Sequence, residues 1–112
     1  DREVVRSRTI HVRSDSITIK VWDNGKVVDG DSISLNLNGN WVLKDFRLKR
    51  EQHTITLKID RKTDNYLVMY ALNLGTSPPN TAAIVVNDGR KNYVMRIESD
   101  MGTCGAINIV HR

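Results

Sequence analysis

Cysteine is almost absent from this sequence, and its scarcity limits the chemistry that the chain can carry. Cys104 is the only cysteine among 112 residues, so no disulfide can form within the chain. It lies between Thr103 and Gly105, and no adjacent motif supplies the base that a catalytic thiol needs. The sequence therefore predicts a small buried core residue at this position.

Long hydrophobic runs and helical periodicity are also lacking. The longest uncharged apolar runs, such as residues 66–72, are too short to cross a bilayer, so we predict no membrane insertion. No window repeats apolar residues at the i, i+3, i+4 and i+7 spacing of an amphipathic helix. No secretion signal is visible, and because the sequence begins at Asp1, we expect an excised domain or a processed product.

Motifs for catalysis and for nucleic-acid binding are missing as well. His11, His53 and His111 lie far apart in sequence and form no pair at the spacing of a zinc site. There is no nucleophile elbow and no phosphate-binding glycine loop. The net charge of +4 favours acidic partners, but the basic residues are dispersed and form no stripe with interleaved aromatics. We therefore predict that the protein is not an enzyme and binds no nucleic acid.

What the sequence does contain is the period-two alternation of β-strands. Apolar and polar side chains alternate in five segments, which are residues 17–21, 33–37, 55–59, 93–97 and 107–109. This pattern is typical of strands with one face on a core and the other in water. Two further segments, residues 66–72 and 82–86, are apolar on both faces and predict either central strands covered on both sides or strands that cross under a loop.

Turn-forming dipeptides separate these segments. Asn38-Gly39 and Asp88-Gly89 each predict a hairpin, because such pairs adopt the positive φ of tight turns. The predicted strands are roughly 4–12, 16–22, 32–38, 40–48 (broken near Asp45), 53–60, 66–73, 82–87, 92–98 and 105–110. About eight or nine strands predict one all-β domain over residues 1–112, an antiparallel β-sandwich that is Ig-like or jelly-roll-like, with a small barrel as the alternative. Residues 1–8 are either a linker remnant or an edge strand.

The alternation also assigns side chains to the core or to the surface. The predicted core consists of Ile19, Val21, Ile33, Leu35, Leu37, Leu57, Ile59, Val68 and Ile97. Trp41 has the parity of Leu43 and is predicted to join them. Trp22 has the parity of Thr18 and Lys20 on the polar face, which leaves two interpretations open. It is either an exposed platform for a sugar ring or peptide, or a ring folded beneath the following loop.

The densest polar segment is the loop DNGKVVDGD at residues 23–31. Calcium takes six to eight oxygen ligands in irregular geometry, so Asp23, Asp29 and Asp31 are candidate metal ligands. The alternative is a turn in which Asp and Asn bond to their own backbone and glycine supplies positive φ. The spacing is not that of an EF-hand, and Lys26 lies inside the loop, so both features favour the turn.

A second loop, residues 73–81, is rich in side-chain oxygens. Asn73, Asn80 and Thr81 are candidate ligand-binding residues together with Trp22. The alternative is a rigid connection fixed by Pro78-Pro79. Because a sandwich gathers its loops at two ends, the two polar loops would form one oxygen-rich site if they share an end.

Five segments together resemble a small β-sandwich accessory domain family of bacterial secreted and multidomain proteins. They are VWDNG at 21–25, DGDSISL at 29–35, LNG at 37–39, ALNLG at 71–75 and PPNTA at 78–82. The resemblance covers roughly residues 16–110, and the D-G-D and P-P-N-T-A loops are its most specific parts. It implies an accessory unit beside other domains, without an established activity, and export or envelope association.

These observations predict a non-catalytic binding or accessory module of a secreted, periplasmic or cell-envelope bacterial protein. Its ligand is expected to be a glycan or a protein, with calcium as a candidate cofactor. The alternative is a purely structural domain that docks or spaces its neighbours in a larger chain. An exposed Trp22 beside the acidic loop favours ligand binding, whereas a buried Trp22 and a flat apolar face favour docking.

Overall fold

The computed structural model describes residues 2–25, 30–73 and 80–112, and these residues form an all-β structure. No helix that could cross a lipid bilayer occurs within this described part of the chain. The nine strands of the described residues are β1 (Glu3–Val12), β2 (Ser16–Trp22), β3 (Ser32–Leu37), β4 (Asn40–Arg47), β5 (His53–Lys58), β6 (Asn65–Ala71), β7 (Asn80–Asn87), β8 (Asn92–Ser99) and β9 (Thr103–His111).

The strands form two sheets. One has five strands in the order β1-β9-β6-β3-β4, and the other has four strands in the order β5-β2-β7-β8. The first strand lies at a sheet edge and runs parallel to the last, so the prediction of purely antiparallel pairing is wrong for this pair. Parallel neighbours need a long crossover connection. Here the chain between β1 and β9 provides it, which local sequence patterns cannot reveal.

The two dipeptide turns lie where the sequence predicts them. Asn38 and Gly39 have φ angles of 53° and 90° and link β3 to β4 directly. Asp88-Gly89 also lies in a hairpin, although the connection between β7 and β8 extends over residues 88–91. Asp45 has a positive φ of 49°, so the backbone of β4 is irregular at the predicted break. Each irregularity follows from a residue type that tolerates the left-handed region.

One hydrophobic cluster draws side chains from both sheets. The predicted core residues that are buried are Ile19, Val21, Ile33, Leu35, Leu37, Ile59 and Ile97. Leu57 is half-buried against this cluster. Val68 was assigned to the wrong face, because Leu67 and Met69 on either side of it are the residues that point inward. On a strand that is apolar on both faces, alternation alone does not identify the inner face.

Candidate functional site

The start of the acidic loop is held by hydrogen bonds within the protein. The backbone N–H of Asp23 donates to the carbonyl oxygen of Lys49 at 2.8 Å, which fixes the loop just after β2. The Asp23 carboxylate accepts a hydrogen bond of 2.9 Å from the N–H of Gly25. Arg50 then donates from Nη1 to the Gly25 carbonyl oxygen at 3.0 Å. The Asp23 side chain is 6% exposed and forms the side-chain-to-backbone turn of the alternative interpretation.

The other end of this loop meets the second polar loop. The carbonyl oxygen of Asp31 accepts a hydrogen bond from the N–H of Leu48, next to the Lys49 that binds Asp23. Ser32, which follows Asp31, donates from its N–H to Asn73 Oδ1 at 3.2 Å. Asn80 Nδ2 donates to the carbonyl oxygens of both Ser32 and Asn73. These bonds place Asp23, Asp31, Asn73 and Asn80 at one end of the molecule.

The remaining two candidates lie on a different surface. Trp22 pairs with Ala83 across β2 and β7, and its side chain is half-buried on the outer face of the four-stranded sheet, in agreement with its parity. Thr81 lies on the same face of β7 and is also half-buried. Asn80, by contrast, is buried. The structure therefore separates Trp22 and Thr81 from the buried amide of Asn80.

No group of three or more His, Cys, Asp or Glu side chains that could hold a metal ion occurs among the described residues. Asp29, the third candidate ligand, lies outside the described residues. The Asp23 carboxylate is already used by the Gly25 N–H. These contacts support the turn interpretation for Asp23, and the calcium site remains a prediction that requires Asp29 and Asp31.

The calcium prediction has a direct thermal test. If the loop binds calcium in the folded state only, calcium at 100 times its Kd stabilises the fold by about 2.7 kcal/mol and raises the melting temperature. A chelator should reverse the shift, and Asp29→Ala combined with Asp31→Ala should abolish it. Magnesium is the control, because it demands stricter octahedral geometry. Equal shifts with both ions would contradict a calcium site.

A surface that the sequence did not predict lies on the outer side of the five-stranded sheet. The rings of Trp41 and Tyr70 pack edge to face, with centroids 5.1 Å apart and an interplanar angle of 62°. The Arg2 guanidinium lies 5.8 Å from the Tyr70 ring centroid and donates to the Ala71 carbonyl oxygen at 2.7 Å. Trp41 is 47% exposed, so a large aromatic surface faces solvent.

Trp41 is thus not a core residue, and a bulge explains the error. Leu35 pairs with Leu43, but the next residue of β3, Asn36, pairs with Trp41, so the register shifts at this point. Val42 is the extra residue on the bulged strand. A bulge shifts the alternation of side chains by one residue, which turns Trp41 away from the core that Leu43 contacts.

A second ring extends this surface along β6. Tyr66 is 36% exposed and pairs with Asn108 of β9. Arg6 lies with its guanidinium 5.6 Å from the Tyr66 ring centroid and donates to the Tyr66 hydroxyl at 3.0 Å. Val68 lies between Tyr66 and Tyr70 on the same face of the strand. We call Trp41, Tyr66, Val68 and Tyr70 the aromatic face. The alternation of Tyr66, Val68 and Tyr70 is the signal from which sequence analysis could have found it.

Cys104 is buried and free, as expected. Burial raises the pKa of its thiol, against a smaller opposing effect of Arg2, which disfavours the reactive thiolate.

Comparison with models of known protein families, with curated proteins and with solved structures found no match.

Proposed function

We propose that this chain is a non-catalytic β-sandwich module, Ig-like or jelly-roll-like, that binds a glycan through its aromatic face. The observation that carries the proposal is the exposed Trp41 ring packed edge to face on Tyr70. Trp41 is 47% exposed and lies beside the half-buried Tyr70 ring, and exposed apolar patches of this kind mark binding sites. The resemblance to accessory domains of bacterial secreted proteins supports a place in a secreted, periplasmic or envelope protein.

The chemistry of the aromatic face suits a sugar. Sugar rings present apolar C–H surfaces that pack on aromatic rings, while their hydroxyls need polar partners at the rim. Arg2 lies beside Tyr70, and its five N–H donors exceed the two that are bound to Ala71 and Met101. Trp41 and Tyr70 are fixed by their mutual contact and by strand pairing, so little side-chain entropy is lost when a ligand binds.

The docking alternative has its own supporting observation. Exposed aliphatic side chains occur on two of the four edge strands, with Val4 at 53% and Val5 at 48% on β1 and Val94 at 64% on β8. Edge strands with apolar side chains are suited to pairing with another chain or domain. A docking function would depend on these valines, whereas a glycan-binding function would depend on Trp41.

The glycan proposal predicts that Trp41→Ala weakens binding at least about tenfold, the equivalent of roughly 1.4 kcal/mol. The reason is loss of the ring surface on which the sugar stacks. Affinity electrophoresis in gels that contain xylan, β-glucan, mannan or soluble peptidoglycan would identify a ligand, and calorimetry would then measure the Kd. Because Trp41 is 47% exposed, we expect its removal to cost little stability.

Trp22→Ala is the matched control, since it removes the same ring from the outer face of the opposite sheet. We expect this variant to retain the affinity of the wild type. If Trp22→Ala loses binding and Trp41→Ala does not, the ligand site is the one suggested by the sequence. If none of the polysaccharides slows the migration of the wild-type protein, the glycan proposal is contradicted and docking is favoured.

A further inference from the structure

Basic side chains from distant parts of the sequence meet in a cleft between the edge strands of the two sheets. Arg8 belongs to β1 and Arg13 follows it, Arg90 and Lys91 lie between β7 and β8, and Arg112 follows β9. We call these five residues the basic cleft. Its volume is about 570 Å³. That volume falls within the range of roughly 300–1,000 Å³ that is typical of small-molecule sites.

The basic cleft concentrates the charge of the protein. Asp88 is the one acidic residue among those that line it in the described structure, so five positive charges face one negative charge. The whole chain has 17 Lys and Arg against 13 Asp and Glu. Outside the cleft, 12 basic residues (17 less these five) are therefore balanced by 12 acidic residues (13 less Asp88). The excess of five basic residues over one acidic residue in this cleft thus equals the net charge of +4, and a surface of one sign favours ligands of the opposite charge.

Asp88 stabilises the backbone of the segments that carry three of the basic residues of the cleft. Its carboxylate accepts hydrogen bonds from three backbone N–H groups, those of Arg13 at 2.9 Å, Arg90 at 3.0 Å and Lys91 at 2.8 Å. Burial raises the pKa of Asp88, but these hydrogen bonds outweigh it and hold the pKa below its ordinary value. Asp88 is only 3% exposed. Its carboxylate therefore acts mainly as a hydrogen-bond acceptor for the backbone at Arg13 and at Arg90 and Lys91.

Two hydrogen bonds connect β1 and β8, the edge strands on either side of the cleft. The Tyr93 hydroxyl donates to the His11 carbonyl oxygen at 2.5 Å, and Arg8 Nη1 donates to the Val94 carbonyl oxygen at 3.0 Å. Lys91 Nζ lies 5.0 Å from the Tyr93 ring centroid, so this half-buried ring already has a cationic partner. Tyr93 is the only aromatic ring of the cleft in the described structure apart from the His11 imidazole. Nucleic acids bind such grooves by stacking bases on aromatic rings, and this cleft offers little stacking surface.

We propose that the basic cleft binds an acidic glycan, meaning an oligosaccharide whose sugars carry sulfate or carboxylate groups. Guanidinium groups match these anions in charge and form paired hydrogen bonds with them. The cleft volume of about 570 Å³ suits a short sugar segment rather than a single inorganic anion. The cleft shares no residue with the aromatic face and is a second site beyond the proposed function.

Two tetrasaccharide probes test the proposal by calorimetry, a sulfated one from heparin and a carboxylated one from polygalacturonate. We expect the wild type to bind at least one of them. We expect Arg13→Gln combined with Arg90→Gln to weaken that binding at least about tenfold, because two charge-assisted contacts are lost. The backbone N–H groups that bind Asp88 remain in this variant, so the turns should keep their structure.

Arg61→Gln combined with Lys62→Gln is the matched control, since it removes the same charge from the exposed connection between β5 and β6. We expect it to change the Kd by less than about twofold, the effect of net charge alone. An equal loss in both double variants would overturn the proposal, and so would a wild type that binds neither probe. Tighter binding of a single-stranded oligonucleotide of equal charge would also overturn it, in favour of nucleic acid. Trp41→Ala should leave tetrasaccharide binding unchanged. The proposal for the basic cleft can therefore be refuted independently of the proposal for the aromatic face.

Discussion

Replacing Gly105 by alanine is expected to destabilise the protein by about 3 kcal/mol or more, the upper end of the cost of overpacking a core. A Cβ atom at this position would lie within 2.4 Å of Ile97 Cγ2 and 2.6 Å of the Glu98 carbonyl oxygen. The second contact is with backbone, so β8 itself would have to move. Removal of the Ile97 methyl would not relieve it. Guanidinium denaturation of the purified variant would measure the change in the free energy of unfolding.

Gly102→Ala is the control for this substitution. An added Cβ at Gly102 has its nearest contact at 3.6 Å, with Asp100 Oδ1, which is ordinary van der Waals distance. We expect its effect to stay within about 0.5 kcal/mol, as for most surface substitutions. If Gly105→Ala costs no more than Gly102→Ala, the close approach of β8 to β9 is incorrect.

The same junction explains why Ser99 is buried beside Gly105. The Ser99 hydroxyl donates to the Met69 carbonyl oxygen at 2.8 Å and accepts from the Gly105 N–H at 2.9 Å. The last residue of β8 thereby bonds to the central strands β6 and β9 of the other sheet. Neither Gly105 nor Ser99 belongs to a recognisable turn signal, so the sequence gives no indication of this contact.

Local features of the fold were predictable from the sequence because they depend on neighbouring residues. The Asn38-Gly39 turn requires only two residues that tolerate positive φ, and both adopt it. The buried apolar positions of β2 and β3 follow from regular alternation, although Ser34 of β3 is buried as well. The turn interpretation of Asp23 also depends on local chemistry, since its acceptor contact is with Gly25, two residues along the chain.

Features that depend on strand register or on distant residues were not predictable in this way. Trp41 faces outward because of a bulge opposite Leu35 and Asn36, and no residue type near Trp41 signals it. The basic cleft is not predictable from the sequence for a similar reason. The densest basic group along the chain is residues 44–50, whereas the cleft combines residues near 10, 90 and 112. The outward position of Trp41 and the basic cleft are therefore properties of the folded structure.

Asn65 lies at the centre of a buried hydrogen-bond network that joins three parts of the fold. The two hydrogens of its Nδ2 are shared among three carbonyl oxygens, those of Asp60 at 2.9 Å, Thr63 at 3.2 Å and Ile109 at 2.9 Å. Its Oδ1 accepts from the Asp60 N–H and from Asn38 Nδ2, each at 2.7 Å. The side chain is fully buried. One amide therefore connects the β5–β6 connection, the β3–β4 turn and the end of β9.

We expect Asn65→Asp to cost about 3–5 kcal/mol at pH 7, the range for an uncompensated buried charge. Aspartate has the same shape, but it replaces the donating NH2 group by an oxygen that faces three carbonyl oxygens. The loss is a large part of the roughly 5–15 kcal/mol that stabilises a typical domain. Equilibrium unfolding in urea, followed by tryptophan fluorescence, would measure it.

The pH dependence of the stability of Asn65→Asp tests whether the buried charge is the source of the loss. Burial and the nearby carbonyl oxygens should raise the pKa of the new carboxyl in the folded state above the value of about 3.9 in the unfolded chain. The folded state then binds more protons, so the stability of the variant falls as pH rises through that interval and recovers on acidification, relative to the wild type.

Asn92→Asp is the control, because it makes the same charge change at an exposed site and keeps the oxygen that accepts from Asn87. We expect it to cost less than about 0.5 kcal/mol at either pH. A penalty for Asn65→Asp that does not change with pH would contradict a buried, uncompensated carboxylate at this position, because the pKa of the new carboxyl would then be the same in the folded and unfolded states.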